Sequence, residues 1–425
     1  MTYILGGKLK HKQNPSGLRH EPDGMMQLTS AWFLDRCVRL WHDTLAVPPL
    51  DRSANLTFLA KRQFMSTSAR PTLALAMGDP SGISLELTAK LLADEEARGF
   101  ANYIVVGDRR ALADGCEIAG LTLDLPNWRP GCEQVDLSKG AVVVDLGHLD
   151  QAGVMRGESS VAGGQFAMVN FRTVLRMGAK GAVDAVTFTP FNKHAMRLSY
   201  APYVDEIEII SQETGATSGG REFNILPNLW NARVTSHVPL SGVAELITKE
   251  AVLSGIRLTN QSMKKVGFEK PRIAVAALNP HAGDGGNFGH EDDAEIAPAI
   301  AAAQAEGIVC EGPFPSDTVF LRAKRGDFDV VQTMYHDQGQ IAMKLMGFEL
   351  GVTLIGGYDF PVCTPAHGTA YDIAGKGVAD LGATREAMRI ATQMATVRDI
   401  SGEERVRLLA ESIALPEQTA AAGVR

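Results

Sequence analysis

The sequence predicts an α/β fold with a largely parallel sheet. Two observations support this fold class. From Pro71 onward, short apolar runs rich in Val and Ile recur at strand length, and longer amphipathic stretches separate them. Alternation of strands and helices is typical of parallel sheets covered by helices. The composition, 45% hydrophobic and 21% charged over 425 residues, is that of a globular protein large enough for more than one lobe.

The predicted elements follow one another along the chain. Six runs have the length and composition of strands, at 73–77, 103–107, 141–146, 185–189, 272–278 and 329–334. The amphipathic stretches that predict helices are 84–97, 161–179, 241–257, 294–306 and 380–396. Residues 1–64 have neither a strand pattern nor the apolar core of a signal peptide. We therefore predict a poorly ordered N-terminal extension over 1–64 and a body over 65–425.

Charge and cysteine content exclude several classes of protein. The net charge of −8 argues against nucleic-acid binding, which usually requires a basic face. No stretch of about 18 apolar residues predicts a membrane span. The five cysteines are odd in number and form no CxxC pair, so neither a disulfide framework nor a zinc ribbon is indicated. This pattern favours the cytoplasm.

The loop after the first predicted strand is rich in glycine but lacks a dinucleotide fingerprint. It reads Gly78-Asp79-Pro80-Ser81-Gly82 in place of GxGxxG, so an ordinary Rossmann site is not indicated. Backbone N–H groups of such a loop could bind an anion, and a simple turn between strand and helix is equally compatible with it.

Three histidines follow predicted strands or lie at their ends. They are His237 in RVTSHVPL, His281 in LNPHAGDGG and His336 in MYHDQG. Ligands of open α/β sheets bind beyond the carboxyl ends of strands, and imidazole is a common ligand of divalent metals. One such histidine alone would more often be a structural hydrogen-bonding group. Three in the same context favour a shared site, although spacing alone does not prove that they meet.

Six segments, in chain order, carry a resemblance to a known family. They are MGDPSGIS, VTFTPFNK, SHVPL, LNPHAGDGG, MYHDQG and AHGTAYDIAGKGVAD. Together they resemble the signature segments of the 4-hydroxythreonine-4-phosphate dehydrogenase family of vitamin B6 synthesis, from about residue 71 to about 397. The resemblance implies the two-lobed fold of isocitrate and isopropylmalate dehydrogenases. It also implies a cleft between two interleaved lobes and an active site completed across a homodimer.

The resemblance further implies cofactors and site residues. The three divalent-metal ligands of the family fall on His237, His281 and His336, and Zn, Mg, Mn or Co would suit such a site. NAD or NADP is the implied cofactor. The candidates for binding it are His367, Gly368, Thr369 and Asp372, in a segment that could otherwise be a turn before a helix.

Several of the positions that the resemblance implies to contact substrate differ from the family pattern, although the lysine of that pattern is retained as Lys344. The implied positions are Asn192, Glu206, Ile207, Lys344, Thr353 and Val362. Glu206 stands where the family has histidine, and Val362 stands where it has arginine. Because arginine binds phosphate well, both changes disfavour a phosphate dianion. The metal ligands therefore match the family, whereas the substrate contacts differ from it.

The implied reaction is oxidation of a secondary alcohol in a hydroxy acid, with or without loss of CO2. A bound divalent cation would acidify the hydroxyl group, and a base must accept its proton. Lys193 and Asp337 are the candidate bases, although either could be an ordinary solvated charge. The alternatives are a dehydrogenase for a non-phosphorylated hydroxy acid or a carboxylated cis-dihydrodiol, a metal-dependent hydrolase or lyase, and a non-catalytic homologue.

Overall fold

The computed structural model describes residues 70–216, 220–347 and 349–413, and the predicted extension 1–64 lies outside them. Twelve strands of the described residues form one sheet in the order β3-β4-β2-β1-β5-β12-β11-β6-β7-β10-β8-β9. They are β1 Thr72–Ala76, β2 Asn102–Gly107, β3 Asn127–Trp128, β4 Ala141–Asp145, β5 Ala185–Phe188, β6 Arg221–Leu226, β7 Leu229–Arg233, β8 Ile273–Ala276, β9 Cys310–Phe314, β10 Val330–Thr333, β11 Val352–Gly356 and β12 Val362–Pro365.

Thirteen α-helices lie in the same described ranges. They are α1 Ser84–Ala93, α2 Glu95–Phe100, α3 Arg109–Ala119, α4 Val161–Lys180, α5 Lys193–Ser199, α6 Glu206–Thr214, α7 Val243–Leu246, α8 Lys249–Lys265, α9 Ala297–Ala305, α10 Ser316–Lys324, α11 His336–Leu345, α12 Gly382–Met394 and α13 Gly402–Ile413. None of the helices in this part of the chain is long and apolar enough to cross a membrane.

The sheet has two parallel parts joined by antiparallel strands. Strands β3, β4, β2, β1, β5 and β12 pair in parallel, and so do β7, β10, β8 and β9. Between the two parts, β11 is antiparallel to both β12 and β6, and β6 forms an antiparallel hairpin with β7. The predicted α/β fold class with a largely parallel sheet is confirmed.

The hydrophobic core lies on both faces of the sheet. In β2, Tyr103 and Val105 belong to one apolar cluster, whereas Ile104 and Val106 belong to the other. This alternation follows from the two-residue period of side chains along a strand. Helix α12 packs its apolar residues into the first cluster, and helix α4 packs into the second. Burial on both faces explains why the predicted strands are continuous apolar runs.

All six predicted strands are confirmed, but the sequence patterns missed six others. Strands β6 and β7 were not predicted because polar residues such as Glu222, Asn224 and Asn231 interrupt their apolar runs. The prediction of one continuous helix over 241–257 is wrong, because the structure has two helices there. Helix α7 ends at Leu246, and helix α8 begins after Thr248, whose side chain accepts a hydrogen bond from the Ala251 N–H group. A threonine N-cap starts a new helix because it satisfies a backbone donor of the first turn.

Candidate functional site

A cavity of about 410 Å3 lies over the central antiparallel strands. Its floor includes Glu222 and Asn224 of β6, Thr353 and Ile355 of β11, and Thr364 of β12. In the register, Glu222 lies opposite Ile355, Asn224 lies opposite Thr353, and Thr353 lies opposite Thr364. Directly opposed residues project from the same face of a sheet. The register of three neighbouring strands therefore brings this polar set together.

Loops and one helix form the walls of the cavity. The segment after β5 contributes Asn192 and Lys193, and the segment after β12 contributes residues 366–369. Helix α11 contributes His336, Gln340 and Lys344, which are spaced four residues apart and so share one helix face. The cavity thus lies where chain segments from both parts of the sheet meet.

The structure brings eleven of the fifteen predicted site residues to this cavity. They are Asn192, Lys193, Glu206, Ile207, His237, His336, Lys344, Thr353, His367, Gly368 and Thr369. Asn192 also caps helix α5, because its side-chain oxygen accepts hydrogen bonds from the His194 and Ala195 N–H groups. The cavity lining does not include Asp337, Val362, Asp372 or His281.

Val362 is fully buried in the apolar cluster that also contains Ile355. It lies directly opposite Ile355 in the register, so it belongs to the cavity face of the sheet but is covered there. An arginine at this position would need a space that the structure does not provide. The structure therefore does not bring the predicted substrate residue Val362 to the cavity.

His237 and His336 face each other, and each is backed by a carboxylate. Their ring centroids lie 5.7 Å apart. The Nδ1 atom of His237 is 3.0 Å from Asp205 Oδ2, and that of His336 is 2.6 Å from Asp337 Oδ1. A carboxylate on Nδ1 fixes the ring and leaves Nε2 available as a metal ligand. This arrangement suits two ligands of a divalent cation.

The Asp205–His237 contact also shifts both pKa values. The hydrogen bond to Asp205 raises the pKa of His237 above its usual value, although partial burial opposes the shift. The same hydrogen bond lowers the pKa of Asp205. Asp205 has a second role, because its Oδ1 atom accepts the Glu208 N–H group at the start of helix α6. The hydrogen bond to helix α6 thus holds the Asp205 carboxylate in the position from which it contacts His237.

His281 lies apart from the other two histidines. It belongs to a loop in which His281 and Ala282 both have positive φ angles, 54° and 56°, and its ring is 6.2 Å from that of Phe288. Within residues 70–216, 220–347 and 349–413, no group of three or more His, Cys, Asp or Glu side chains is arranged to hold a metal. Among the described residues of one chain, His281 is thus not brought into the cavity with His237 and His336.

Lys193 and Glu206 form an ion pair on the cavity wall. The Lys193 ammonium is 3.1 Å from one carboxylate oxygen of Glu206, and the buried Tyr203 hydroxyl donates to the other oxygen over 3.0 Å. Glu206 therefore does not present an unpaired negative charge to a ligand. Lys344, on helix α11, adds a second lysine to the cavity lining.

The loop over 367–373 is anchored to the glycine-rich loop after β1. The Thr369 carbonyl accepts the Ile83 N–H group over 3.0 Å, and the Tyr371 hydroxyl donates to Asp79 Oδ2 over 2.5 Å. Ala370 between them has φ 42°, a left-handed conformation that is uncommon for alanine. Burial raises the pKa of Asp79 despite hydrogen bonds from Tyr371 and Ser81. The two loops thus fix the position of Thr369 at the cavity wall.

Sequence reasoning missed the polar residues of the β6–β7 hairpin. Glu222 and Asn224 line the cavity, and the buried Arg233 contacts both of them. Polar residues at alternate positions on either side of Pro227-Asn228 are the signal that could have found this hairpin, because they indicate a strand with one polar face. Tyr371 was missed for another reason, since its partner Asp79 is 292 residues away in the chain.

Comparison with known proteins places the chain in a family. The model of the family described as pyridoxal phosphate biosynthetic protein PdxA matches residues 99–391. The chain is 56% identical to putative 4-hydroxythreonine-4-phosphate dehydrogenase 2 of Rhizobium meliloti (strain 1021) over 328 residues, 77% of this chain and 94% of the relative. It is 35% identical to a putative D-threonate 4-phosphate dehydrogenase of Symbiobacterium thermophilum, over 77% of this chain and 97% of the relative.

A solved structure gives the same relationship. The crystal structure of a 4-hydroxythreonine-4-phosphate dehydrogenase from Burkholderia phymatum matches with a TM-score of 0.64 and 33% sequence identity. The match covers 78% of this chain and all of the solved chain. The chain belongs to the PdxA family.

Proposed function

We propose that the protein is an NAD- or NADP-dependent dehydrogenase that oxidises a secondary alcohol in a hydroxy acid with the help of a divalent metal. The observation that carries this proposal is the cavity in which two carboxylate-backed histidines lie beside a lysine and a fixed loop. The relatives named as dehydrogenases of hydroxy-acid phosphates support the same reaction class.

The metal would be held by His237 and His336 through their Nε2 atoms. The third ligand that the family resemblance implies, His281, lies outside this cavity. A homodimer would give His281 a place in the site, as a ligand supplied by a second copy of the chain. When bound, the metal would supply Lewis acidity that lowers the pKa of the substrate hydroxyl group. Zn, Mg, Mn and Co remain the candidates.

Lys193 is the preferred base of the two candidates. Lys193 lies in the cavity lining, paired with Glu206 over 3.1 Å, so its ammonium group would first have to lose a proton, with Glu206 as the adjacent acceptor, before the amine could take the proton of the substrate hydroxyl group. Asp337 suits a different role, because its carboxylate contacts His336 and lies outside the cavity lining. We therefore propose that Asp337 orients the His336 ring.

The nicotinamide cofactor would bind at the loop that carries His367, Gly368 and Thr369. A Cβ atom added at Gly368 would meet nothing within 4 Å, so the loop borders open space. Asp372, four residues beyond Gly368, would contact a more distant part of the dinucleotide. A cytoplasmic location is supported by four free cysteines, Cys116, Cys132, Cys310 and Cys363, among the described residues.

The first test is reduction of NAD or NADP, followed at 340 nm, with divalent metal and paired hydroxy acids. Each pair contains one acid with and without its phosphate, and a carboxylated cis-dihydrodiol is included. Turnover of the phosphorylated acids would support the reaction of the named relatives. Turnover of only the unphosphorylated acids or the dihydrodiol would assign another substrate, and no turnover of any compound would overturn the proposal.

The second test concerns the metal. We expect His281→Ala and His237→Ala to lose metal from the purified protein, measured by elemental analysis, while the far-ultraviolet circular dichroism spectrum stays unchanged. Sedimentation of the wild-type protein would report whether a homodimer exists. Retention of a full metal equivalent by either variant would overturn the assignment of that histidine.

A further inference from the structure

A buried arginine lies at the edge of the cavity floor. Arg233 ends strand β7 and is only 2% exposed. Asn231, two residues earlier, lies opposite Asn224 in the register, so Arg233 projects from the same face as Asn224 and the cavity floor. Its Nη2 atom hydrogen-bonds Asn224 Oδ1 and lies 3.5 Å from Glu222 Oε1.

This arginine is incompletely paired. Its Nε and Nη1 atoms are buried and have no hydrogen-bond partner. Burial of a guanidinium group costs free energy unless its donors are paired, so a protein that retains such a group usually gains something else from it. The paired Nη2 atom of Arg233 contacts two cavity-lining side chains, so the arginine is placed to position Asn224 and Glu222.

Arg233 fixes the orientation of the Asn224 amide. A guanidinium group has only donors, so the atom of Asn224 that faces it must be the oxygen. The Asn224 Nδ2 group is then directed toward Glu222 Oε1, at 3.5 Å, and keeps one N–H group for another acceptor. The cavity floor therefore presents an amide donor beside a carboxylate acceptor, and Arg233 offsets the carboxylate charge.

The Asn224 donor beside the Glu222 acceptor suits a hydroxyl group of a ligand better than an ammonium group. A hydroxyl group can donate to Glu222 and accept from Asn224 at the same time. An ammonium group can only donate, so it would leave the Asn224 N–H group unpaired. It would also bring a second positive charge toward Arg233. Leaving a buried donor unpaired should therefore reduce the relative kcat/KM of the ammonium substrate by roughly 5- to 150-fold.

We propose that Asn224 and Glu222, positioned by Arg233, select a substrate with a hydroxyl group rather than an ammonium group beside the oxidised carbon. This inference rests on the proposed function. The substrates of the two kinds of named relatives differ at this position. Threonate 4-phosphate carries a hydroxyl group at C2, whereas 4-hydroxythreonine 4-phosphate carries an ammonium group there and has its only free secondary alcohol at C3. The selected class is the 2,3-dihydroxy acid.

The experiment compares kcat/KM for these two phosphorylated acids in the wild-type holoenzyme. We expect the 2-hydroxy acid to be preferred by at least about fivefold. Asn224→Asp replaces the amide donor with a second carboxylate, so it should shift the ratio toward the 2-amino acid by tenfold or more. Glu222→Gln provides a second, independent variant that should also reduce the preference for the 2-hydroxy acid.

Arg233 is a positioning residue, so its variants test orientation. Arg233→Met should reduce the ratio, and Arg233→Lys should restore part of it because the charge returns. Asn228→Asp makes the same chemical change as Asn224→Asp at the exposed turn of the same hairpin and should leave the ratio unchanged. A general loss of folding lowers kcat/KM for both acids together, whereas the ratio reports selection.

The outcomes separate this inference from the proposed function. A wild-type enzyme that prefers the 2-amino acid, or Asn224→Asp and Glu222→Gln variants with the wild-type ratio, would overturn the selection by Asn224 and Glu222 alone. Absence of turnover with both acids in the wild type would overturn the proposed reaction on these substrates and this inference with it. Preference for the 2-hydroxy acid that falls in both variants would support the inference.

Discussion

At the scale of single residues, the carboxylates behind His237 and His336 test the proposed metal site most directly. Asp205 is mostly buried beside His237, whereas Asp337 is 71% exposed beside His336. We expect Asp205→Asn to weaken Zn binding by about 10- to 100-fold, because the neutral amide no longer fixes the imidazole as a strong ligand. Asparagine keeps the capping oxygen for helix α6, so folding should be preserved.

Asp337→Asn is the matched comparison for this prediction. Its carboxylate is exposed, so solvent already weakens its effect on His336, and the loss of affinity should be smaller. Competition with a chromogenic chelator would measure both affinities. Equal losses in the two variants would contradict the dependence on burial, and wild-type affinity in Asp205→Asn would contradict a role for this carboxylate.

At the scale of elements, Asp108 connects strand β2 to helix α3. It is 1% exposed and caps the helix by accepting the Arg110 N–H group, and it also accepts bonds from the Arg110 guanidinium and the Leu149 N–H group. Burial alone would raise the pKa of Asp108, but these donors outweigh it and lower the pKa to about 2. The charged form is therefore the one that stabilises the fold.

Asp108→Ala should lower the free energy of unfolding at pH 7 by more than the roughly 1 kcal/mol of an N-cap, since it also loses the Arg110 contact. Asp108→Asn keeps a capping oxygen and should cost less. Because the folded pKa is lowered, the charge contribution is complete above about pH 5 and disappears as the pH falls from about 4 to about 2. Urea unfolding across this pH range would measure the free energy of unfolding of wild type and Asp108→Asn. A difference in this free energy that does not change with pH would contradict the prediction.

Helix α11 depends on close contact with strand β7. A Cβ atom at Gly339 would lie 2.1 Å from Asn231 Oδ1, which is buried beneath the helix. Gly339→Ala should therefore displace the helix that carries His336 and Lys344, lowering the melting temperature by several degrees and weakening metal binding. Gly99→Ala in helix α2 meets nothing within 4 Å and should be neutral or slightly stabilising. Equal melting temperatures for Gly339→Ala and Gly99→Ala would contradict the close packing of helix α11 against Asn231.

The burial pattern of each strand explains which parts of the site could be predicted from the sequence. Strands buried on both faces, such as β2 and β4, are continuous apolar runs and were predicted correctly. The cavity floor was not, because Glu222 and Asn224 belong to a hairpin whose cavity face is polar, and their neighbours come from strands more than 100 residues away. His237 and His336 were predicted from their strand-end context. The position of His281 outside the cavity depends on loop geometry that no periodicity reports.

At the scale of the whole molecule, the residues that the structure describes form a twelve-stranded sheet with apolar clusters on both of its faces. Among the described residues, the twelve strands of the sheet lie between Thr72 and Pro365, and the apolar clusters on its two faces include residues from Leu73 to Leu409. The relative from Rhizobium meliloti matches over 94% of its own length while covering 77% of this chain. We therefore predict that the sheet and its core form without residues 1–64.

We expect a chain that begins at Met65 to keep the melting temperature, the metal content and the kcat/KM of the full chain, because it retains all the strands and apolar clusters that the structure describes. Calorimetry and the assay at 340 nm would measure these quantities. A chain that begins at Met77 is the informative comparison, since it lacks β1, which pairs with both β2 and β5. Loss of this strand should prevent folding. A lower melting temperature already in the chain from Met65 would mean that residues 1–64 stabilise the body.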